Sequence, residues 1–125
     1  MGVKLEMFNN EADTVSFAAG ETIFRSGEAA DQMYVLLKGE VDIVLGEEVI
    51  ETLGPGDPFG EMALIDQAPR IATAIAKSPV TLATVSEKRF LFMVQQTPYF
   101  SIQIMKVMAD RLRRMNVLRL SGLPA

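Results

Sequence analysis

Short apolar segments separated by glycine and proline turns fill the first ninety residues of the chain. The segments that have the length and composition of β-strands are residues 15–17, 22–24, 33–37, 41–45, 49–53, 71–76 and 80–85. Residues 54–58 (GPGDP) predict a rigid connection without regular structure. Short strands at roughly ten-residue spacing with such turns favour an all-β sandwich or barrel.

The period of the pattern changes in the last third of the chain. Ser86 precedes charged residues and predicts the N-cap of a helix that continues to about Gln96. Pro98 lies near the first turn of a second, longer helix, over about residues 99–120. One face of this helix is predicted to pack on the β-domain or on a second copy of the helix, because apolar residues recur there at helical spacing: Met105, Met108, Leu112 and Met115.

Composition narrows the range of functions. The 125 residues are enough for one domain, so we expect a single unit over residues 1–125. The chain has no cysteine and no histidine, which excludes thiolate or histidine metal sites and an imidazole-based triad. We therefore expect a protein that is not an enzyme and holds no metal. The lack of a signal peptide or a long apolar segment favours a cytoplasmic protein without membrane contact.

The net charge of −4 conceals an uneven distribution. Residues 1–66 contain 14 acidic and 3 basic side chains, and residues 67–125 contain 2 acidic and 9 basic ones, for net charges of −11 and +7. The distribution fits two solvated faces of opposite sign, or two halves that together form a site or a partner surface. No basic run is dense enough to indicate nucleic-acid binding.

The segment from residue 59 to residue 74 has the features of an anion site. A sharp turn at Gly60 leads into one short helix over residues 61–65, and a helix N-terminus offers free N–H groups to an anion. Arg70 follows with a guanidinium suited to phosphate or carboxylate. Glu61 would repel an anion at this site. Its presence is explained if its role is to accept hydrogen bonds from hydroxyl groups of the same ligand. A ribose phosphate satisfies both requirements.

Two other readings of these charged residues stay open at this point. Glu61 and Arg70 could form a plain surface ion pair, which would contribute little. Arg70 could instead bind a carboxylate of a partner protein. The acidic residues Glu28, Asp31 and Glu40 are interpreted as solvated loop residues.

The same segment closely resembles the phosphate-binding cassette of cyclic nucleotide-binding domains, in residues 59–64 (FGEMAL) and 69–73 (PRIAT). The resemblance extends upstream to residues 19–24 (AGETIF) and to the turn glycines that follow, and it covers about residues 15–120. It implies a mainly β fold with helices. That fold is an antiparallel β-roll of the double-stranded jelly-roll type (about residues 15–86), followed by a C-terminal helical lid (about residues 87–120).

The resemblance also implies a role for each cassette residue. Glu61 would accept the ribose 2′-hydroxyl, and Arg70 would pair with the cyclic phosphate. Backbone contacts to the ligand would come from Gly60, Met62, Ala63 and Ala72.

Three helix residues and one cassette residue are expected to lie near the purine base of the nucleotide. Relatives place base-capping residues on the last helix at the positions of Arg111, Met115 and Asn116. Ile71 departs from the family pattern, which has Ala, Ser or Thr after the cassette arginine. A Thr there favours cGMP in the family, so Ile71 makes a cGMP sensor less expected, and its bulk could interfere with the purine.

These observations predict a cyclic nucleotide-binding regulatory module whose C-terminal helix closes on the ligand. The expected ligand is cAMP, with cGMP as the alternative. A protein partner or a homodimer through the C-terminal helix is expected. No residues remain after that helix for a helix-turn-helix, so no nucleic-acid partner is expected. The competing hypothesis is a degenerate, ligand-free interaction or dimerisation module of the same fold.

Overall fold

A computed structural model describes residues 13–65 and 68–120, with side chains in the final helix described as far as Arg114. In these residues, six strands precede one short helix, and two further strands and two longer helices follow it. The strands are β1 (Thr14–Phe17), β2 (Thr22–Phe24), β3 (Gln32–Lys38), β4 (Val41–Leu45), β5 (Glu48–Leu53), β6 (Pro58–Phe59), β7 (Thr73–Ala76) and β8 (Val80–Ser86). The helices are α1 (Met62–Ile65), α2 (Glu87–Gln96) and α3 (Pro98–Leu120).

The strands form two four-stranded sheets whose paired strands are antiparallel. One sheet has the order β1-β8-β3-β6 and the other the order β2-β7-β4-β5. Strands that are distant in sequence therefore lie side by side, as β4 does with β7. The prediction of an antiparallel β-roll followed by C-terminal helices is confirmed.

Strand β3 is buried on both faces, which explains its continuous apolar run. Tyr34 and Leu36 point into the cluster between the two sheets, where Leu53 and Phe59 also lie. Met33 and Val35 point the opposite way, into a second cluster completed by the helical residues Met93, Phe100 and Ile104. Successive side chains of a strand alternate between its faces, so one strand joins the β-roll interior to the helical layer.

Two predicted boundaries were wrong next to the cassette. Pro58 was placed in an irregular connection, but it begins strand β6 and lies opposite Val35. Proline is tolerated there because β6 is an edge strand and needs no second hydrogen-bonding partner. The strand predicted from residue 71 begins instead at Thr73, and Ile71 lies in a bend.

The predicted start of α2 is confirmed. Ser86 is its N-cap, and the Ser86 hydroxyl accepts a hydrogen bond from the backbone N–H of Arg89 at 3.2 Å. The loop residue Thr97 ends α2 and is followed by Pro98, the first residue of α3. Within the described part of the chain, no helix is long and apolar enough to cross a membrane.

For two residues of the predicted α3 face, packing on the β-domain was wrong. Met105 and Leu112 are 58 % and 63 % exposed, whereas Phe100, Ile104 and Val107 are the buried residues. Met108 packs at the edge of the helical cluster, and the side chain of Met115 lies outside the described residues. The buried face is rotated from the predicted one. Packing of the predicted face on a second copy stays a prediction.

Candidate functional site

The cassette begins with a backbone turn that only glycine adopts readily. Gly60, between β6 and α1, has a φ of +73°. A Cβ atom at this position would lie 2.5 Å from Nη1 of Arg70. The carbonyl of Gly60 accepts hydrogen bonds from the N–H of Ala63 at 3.3 Å and from Arg70 at 2.9 Å. Gly60 therefore provides both the turn and a docking point for the arginine.

Arg70 is held from its backbone to the tip of its side chain. Its N–H donates to the carbonyl of Glu28, and its own carbonyl accepts from Gly27. Its guanidinium donates to the carbonyls of Gly60 and Gln32, at 2.9 and 2.6 Å. These contacts anchor a residue of the β-roll's outer loop against strands β3 and β6.

Within residues 13–65 and 68–120, no carboxylate contacts the charge of Arg70 directly. The residue is only 8 % exposed, and none of the ion pairs in these ranges includes it. Its Nε is buried and has no hydrogen-bond partner in the described part of the chain. Burial lowers the pKa of Arg70 from the usual arginine value, while Tyr34 and the nearby carboxylates of Asp31, Glu28 and Glu61 oppose that shift. A buried cation of this kind is able to accept an anionic ligand.

Aromatic rings provide the remaining support for this cation. The guanidinium carbon of Arg70 lies 4.1 Å from the ring centroid of Phe24 and 5.8 Å from that of Tyr34. Phe24, Tyr34 and Phe59 pack against one another with centroids 5.4–6.1 Å apart. The negative face of an aromatic ring attracts a guanidinium, most strongly where water is excluded.

Glu61 is the second buried charged residue, and it is bound by the last helix. It is 6 % exposed, and its Oε1 accepts a hydrogen bond from Nη1 of Arg111 at 2.8 Å. Arg111 also donates to the carbonyl of Pro58 at 2.5 Å. A single side chain of α3 therefore holds both the cassette and strand β6.

Glu51 of β5 extends this ion-pair network along α3. One of its oxygens lies 3.3 Å from Nε of Arg111, and the other accepts from Arg114 at 2.9 Å. A cavity of about 480 Å³ lies beside these three residues, between β5 and α3. Neither Glu61 nor Arg70 lines it. The network fastens α3 to both β5 and the cassette.

The predicted site residues fall into three groups. Gly60, Glu61, Arg70 and Arg111 come together through the contacts above. Ala63 and Ala72 are buried, while Met62 and Ile71 are 40 % and 73 % exposed. The side chains of Met115 and Asn116 lie outside the described residues.

Two of the sequence interpretations can be judged from these contacts. The alternative of a surface ion pair between Glu61 and Arg70 was wrong, because both residues are buried and each binds other partners. Glu28, Asp31 and Glu40 are exposed, as predicted.

Four contributors to the site were missed from the sequence. Phe24 and the carbonyl of Gln32 support Arg70, while Glu51 and the carbonyl of Pro58 support Arg111. Backbone carbonyls have no residue signature. Phe24 and Glu51 lie on strands that pair with neither β3 nor β6, so only the folded topology brings them here.

Comparison with known proteins identifies this arrangement. Residues 14–97 match the family model of the cyclic nucleotide-binding domain, which is more than half of the chain. The chain belongs to this family. The match includes the whole cassette of this cyclic nucleotide-binding domain and ends before α3.

Relatives of this cyclic nucleotide-binding domain are regulatory proteins. A CRP-like cAMP-activated global transcriptional regulator of Mycobacterium tuberculosis is 32 % identical over 107 residues, covering 82 % of this chain and 48 % of the regulator. A cAMP-dependent protein kinase regulatory subunit of Hypocrea atroviridis is 40 % identical over 78 residues, covering 62 % of this chain and 17 % of the subunit. The chain thus spans half or less of the curated relatives it matches.

A solved structure agrees with the sequence comparison. The catabolite activator protein of Thermus thermophilus superposes with a TM-score of 0.76 at 28 % identity. The superposition covers 87 % of this chain and 54 % of that protein. The similarity therefore extends beyond the β-roll to much of the helical part.

Proposed function

We propose that this domain is a sensor that binds cAMP in the cassette and transmits its binding through α3. The observation that carries the proposal is Arg70, a buried cation that backbone carbonyls hold and that no carboxylate contacts directly among the residues that the structure describes. Such a charge is stabilised further when an anion approaches it. A cyclic phosphate has the charge and oxygen acceptors to do so.

Each group of the nucleotide has a proposed partner in the cassette. Arg70 pairs with the phosphate, and Glu61 accepts the hydrogen bond of the ribose 2′-hydroxyl. Backbone groups of Gly60, Met62, Ala63 and Ala72 complete the cradle. The N–H of Ala63 already donates to the carbonyl of Gly60, so its contact with a ligand requires sharing or exchange of that bond.

The choice of cAMP over cGMP rests on the residue after the cassette arginine. Ile71 has no hydroxyl with which to bond guanine, and its side chain is mostly exposed. Both curated relatives described above carry cAMP in their names. Met115 and Asn116 are proposed to cap the base from α3, together with Arg111.

Arg111 supplies the proposed link between ligand and helix. It occupies the Glu61 carboxylate that the ribose hydroxyl would use, at 2.8 Å. Ligand and α3 therefore compete for Glu61 or share it. A change in that hydrogen bond would alter how the last turns of α3 are held, and closure of the helix is then a population shift between two forms.

The movement of α3 would be transmitted to a protein that binds its exposed side. Exposed apolar residues of α3 are suited to a protein partner or to a second copy: Tyr99, Ile102, Met105 and Leu112. We infer a regulatory role without catalysis, membrane insertion or nucleic-acid contact by these residues. A cytoplasmic location fits this role.

Isothermal titration with cAMP and cGMP tests the proposal. Wild-type protein is expected to bind cAMP more tightly than cGMP. Because a charged hydrogen bond contributes about 1.5–3 kcal/mol, Arg70→Ala is expected to weaken binding by about tenfold to a hundredfold or more. Arg70→Lys keeps the charge and serves as a second variant if Arg70→Ala fails to fold. No heat from folded wild-type protein at tens of micromolar would refute the proposal.

One observation favours a ligand-free interaction module instead. Glu61 is already satisfied by Arg111, so the cassette is internally paired without any ligand. In that case nucleotide would bind neither the wild type nor any variant. Assembly would then be unchanged by Arg70→Ala and abolished by Leu112→Glu, as measured by sedimentation.

A further inference from the structure

The positive charge of Arg70 is supported on one side by backbone and on the other by an aromatic ring. Its two terminal nitrogens donate hydrogen bonds to the carbonyls of Gly60 and Gln32. Its guanidinium carbon lies 4.1 Å from the centroid of the Phe24 ring, and its Nε has no hydrogen-bond partner among the described residues. The ring face therefore contacts a guanidinium whose hydrogen bonds go to backbone carbonyls.

The space around the guanidinium leaves it little freedom. A Cβ on Gly60 would lie 2.5 Å from Nη1 of Arg70 and 3.5 Å from the Phe24 ring, so the guanidinium and that ring both lie close to the Gly60 backbone. Phe24 cannot easily withdraw, because Tyr34 and Phe59 pack against it with centroids 6.1 and 6.0 Å away. Tyr34 is fixed in turn by a hydrogen bond that its hydroxyl accepts from Gln32.

We propose that Phe24 is a positioning residue that sets the affinity of this site for a phosphate through its cation–π contact with Arg70. The inference rests on the proposed function, since it assumes that Arg70 binds the cyclic phosphate. The ring holds the guanidinium in place before the ligand arrives, so less conformational freedom is lost on binding. The ring also attracts the cation without neutralising its charge. A carboxylate in direct contact would neutralise it.

A fluorination series at position 24 separates this role from ordinary packing. Phenylalanine analogues with one, two and three ring fluorines keep the shape of the ring while weakening the negative potential of its face. Titration with cAMP is expected to show a stepwise loss of affinity along the series, with a total of about threefold to thirtyfold. If Phe24 acted only through packing, the affinity for cAMP would stay the same along the series, because the ring keeps its shape.

Phe24→Leu and Phe17→Leu form the matched pair of conventional variants. Both phenylalanines are partly buried against the same cluster between the sheets, but Phe24 is the one that lies over Arg70. Both substitutions are expected to lower the unfolding temperature, and Phe24→Leu alone is expected to weaken cAMP binding. Equal affinities for the two variants, or a level fluorination series, would overturn the inference while leaving the proposed function intact. Absence of cAMP binding by the wild type would overturn both.

Discussion

Gly60→Ala is the substitution whose effect follows most directly from the geometry. The new Cβ would lie 2.5 Å from Nη1 of Arg70, which is closer than real Cβ atoms approach. Arg70 must then move and give up its 2.9 Å hydrogen bond to the Gly60 carbonyl. The same substitution forces a side chain into the left-handed region, because φ is +73°.

The backbone contribution can be measured separately at Gly46. Its φ is +66°, and a Cβ there would meet nothing within 4 Å. Left-handed backbone costs about 1–2 kcal/mol, offset by about 0.4–1 kcal/mol from the loss of glycine's freedom in the unfolded chain. Gly46→Ala should therefore destabilise the domain by about 1 kcal/mol.

The difference between the two variants isolates the displacement of Arg70. A hydrogen bond from a charged group contributes about 1.5–3 kcal/mol, so Gly60→Ala should be less stable than Gly46→Ala by about that amount. For a domain of this size the difference corresponds to an unfolding midpoint about 6–12 °C lower. Urea and thermal unfolding followed by circular dichroism provide the measurement, with cAMP titration of both variants. If Gly60→Ala unfolds at the same temperature as Gly46→Ala, Arg70 is not packed against this glycine and the reasoning fails.

Three further substitutions test other parts of the structure by chemical denaturation. Arg111→Ala removes the partner of buried Glu61 and should cost about 3 kcal/mol, whereas exposed Arg113→Ala should stay within about 0.5 kcal/mol; equal losses would contradict the assigned contacts. Ser86→Ala removes the N-cap of α2 and should cost about 1 kcal/mol, and an unchanged midpoint would count against the cap. Ile71→Ala should change stability by less than about 0.5 kcal/mol because Ile71 is 73 % exposed, and a larger loss would show that its side chain packs.

Local chemistry explains which parts of the fold were predictable. Ser86 identified the start of α2 because a hydroxyl cap acts on its own first turn. Strands β2 and β4 were predicted at their observed bounds because glycine turns flank them. The buried face of α3 could not be read from helical spacing alone, since apolar residues occupy more than one of its faces. Only the position of sheet β1-β8-β3-β6 decides that Phe100 and Ile104 are covered while Met105 is not.

The site was predictable to the extent that it is contiguous in sequence. Glu61 and Arg70 were predicted as site residues from one short segment, and the structure shows that both are buried. Arg111 was predicted from the family resemblance as a base-capping residue, which stays a prediction, and in the structure its guanidinium donates to Glu61. The contributions of Phe24 and Glu51 depend on long-range strand pairing, and those of Gln32 and Pro58 depend on carbonyl directions, neither of which residue types encode.

Helix α3 is attached to the β-roll unevenly, and this makes it a lever. Its first half is fixed by apolar residues as far as Val107 and the neighbouring Met108, and beyond Met108 the described contacts to the β-roll and the cassette are polar ones at Arg111 and Arg114. The thirteen residue-to-residue steps from Val107 to Leu120 span about 20 Å at 1.5 Å per step. Each degree of rotation about that fulcrum displaces the far end by about 0.35 Å. A small rearrangement at a single carboxylate would therefore be magnified before it reaches the tip of the helix.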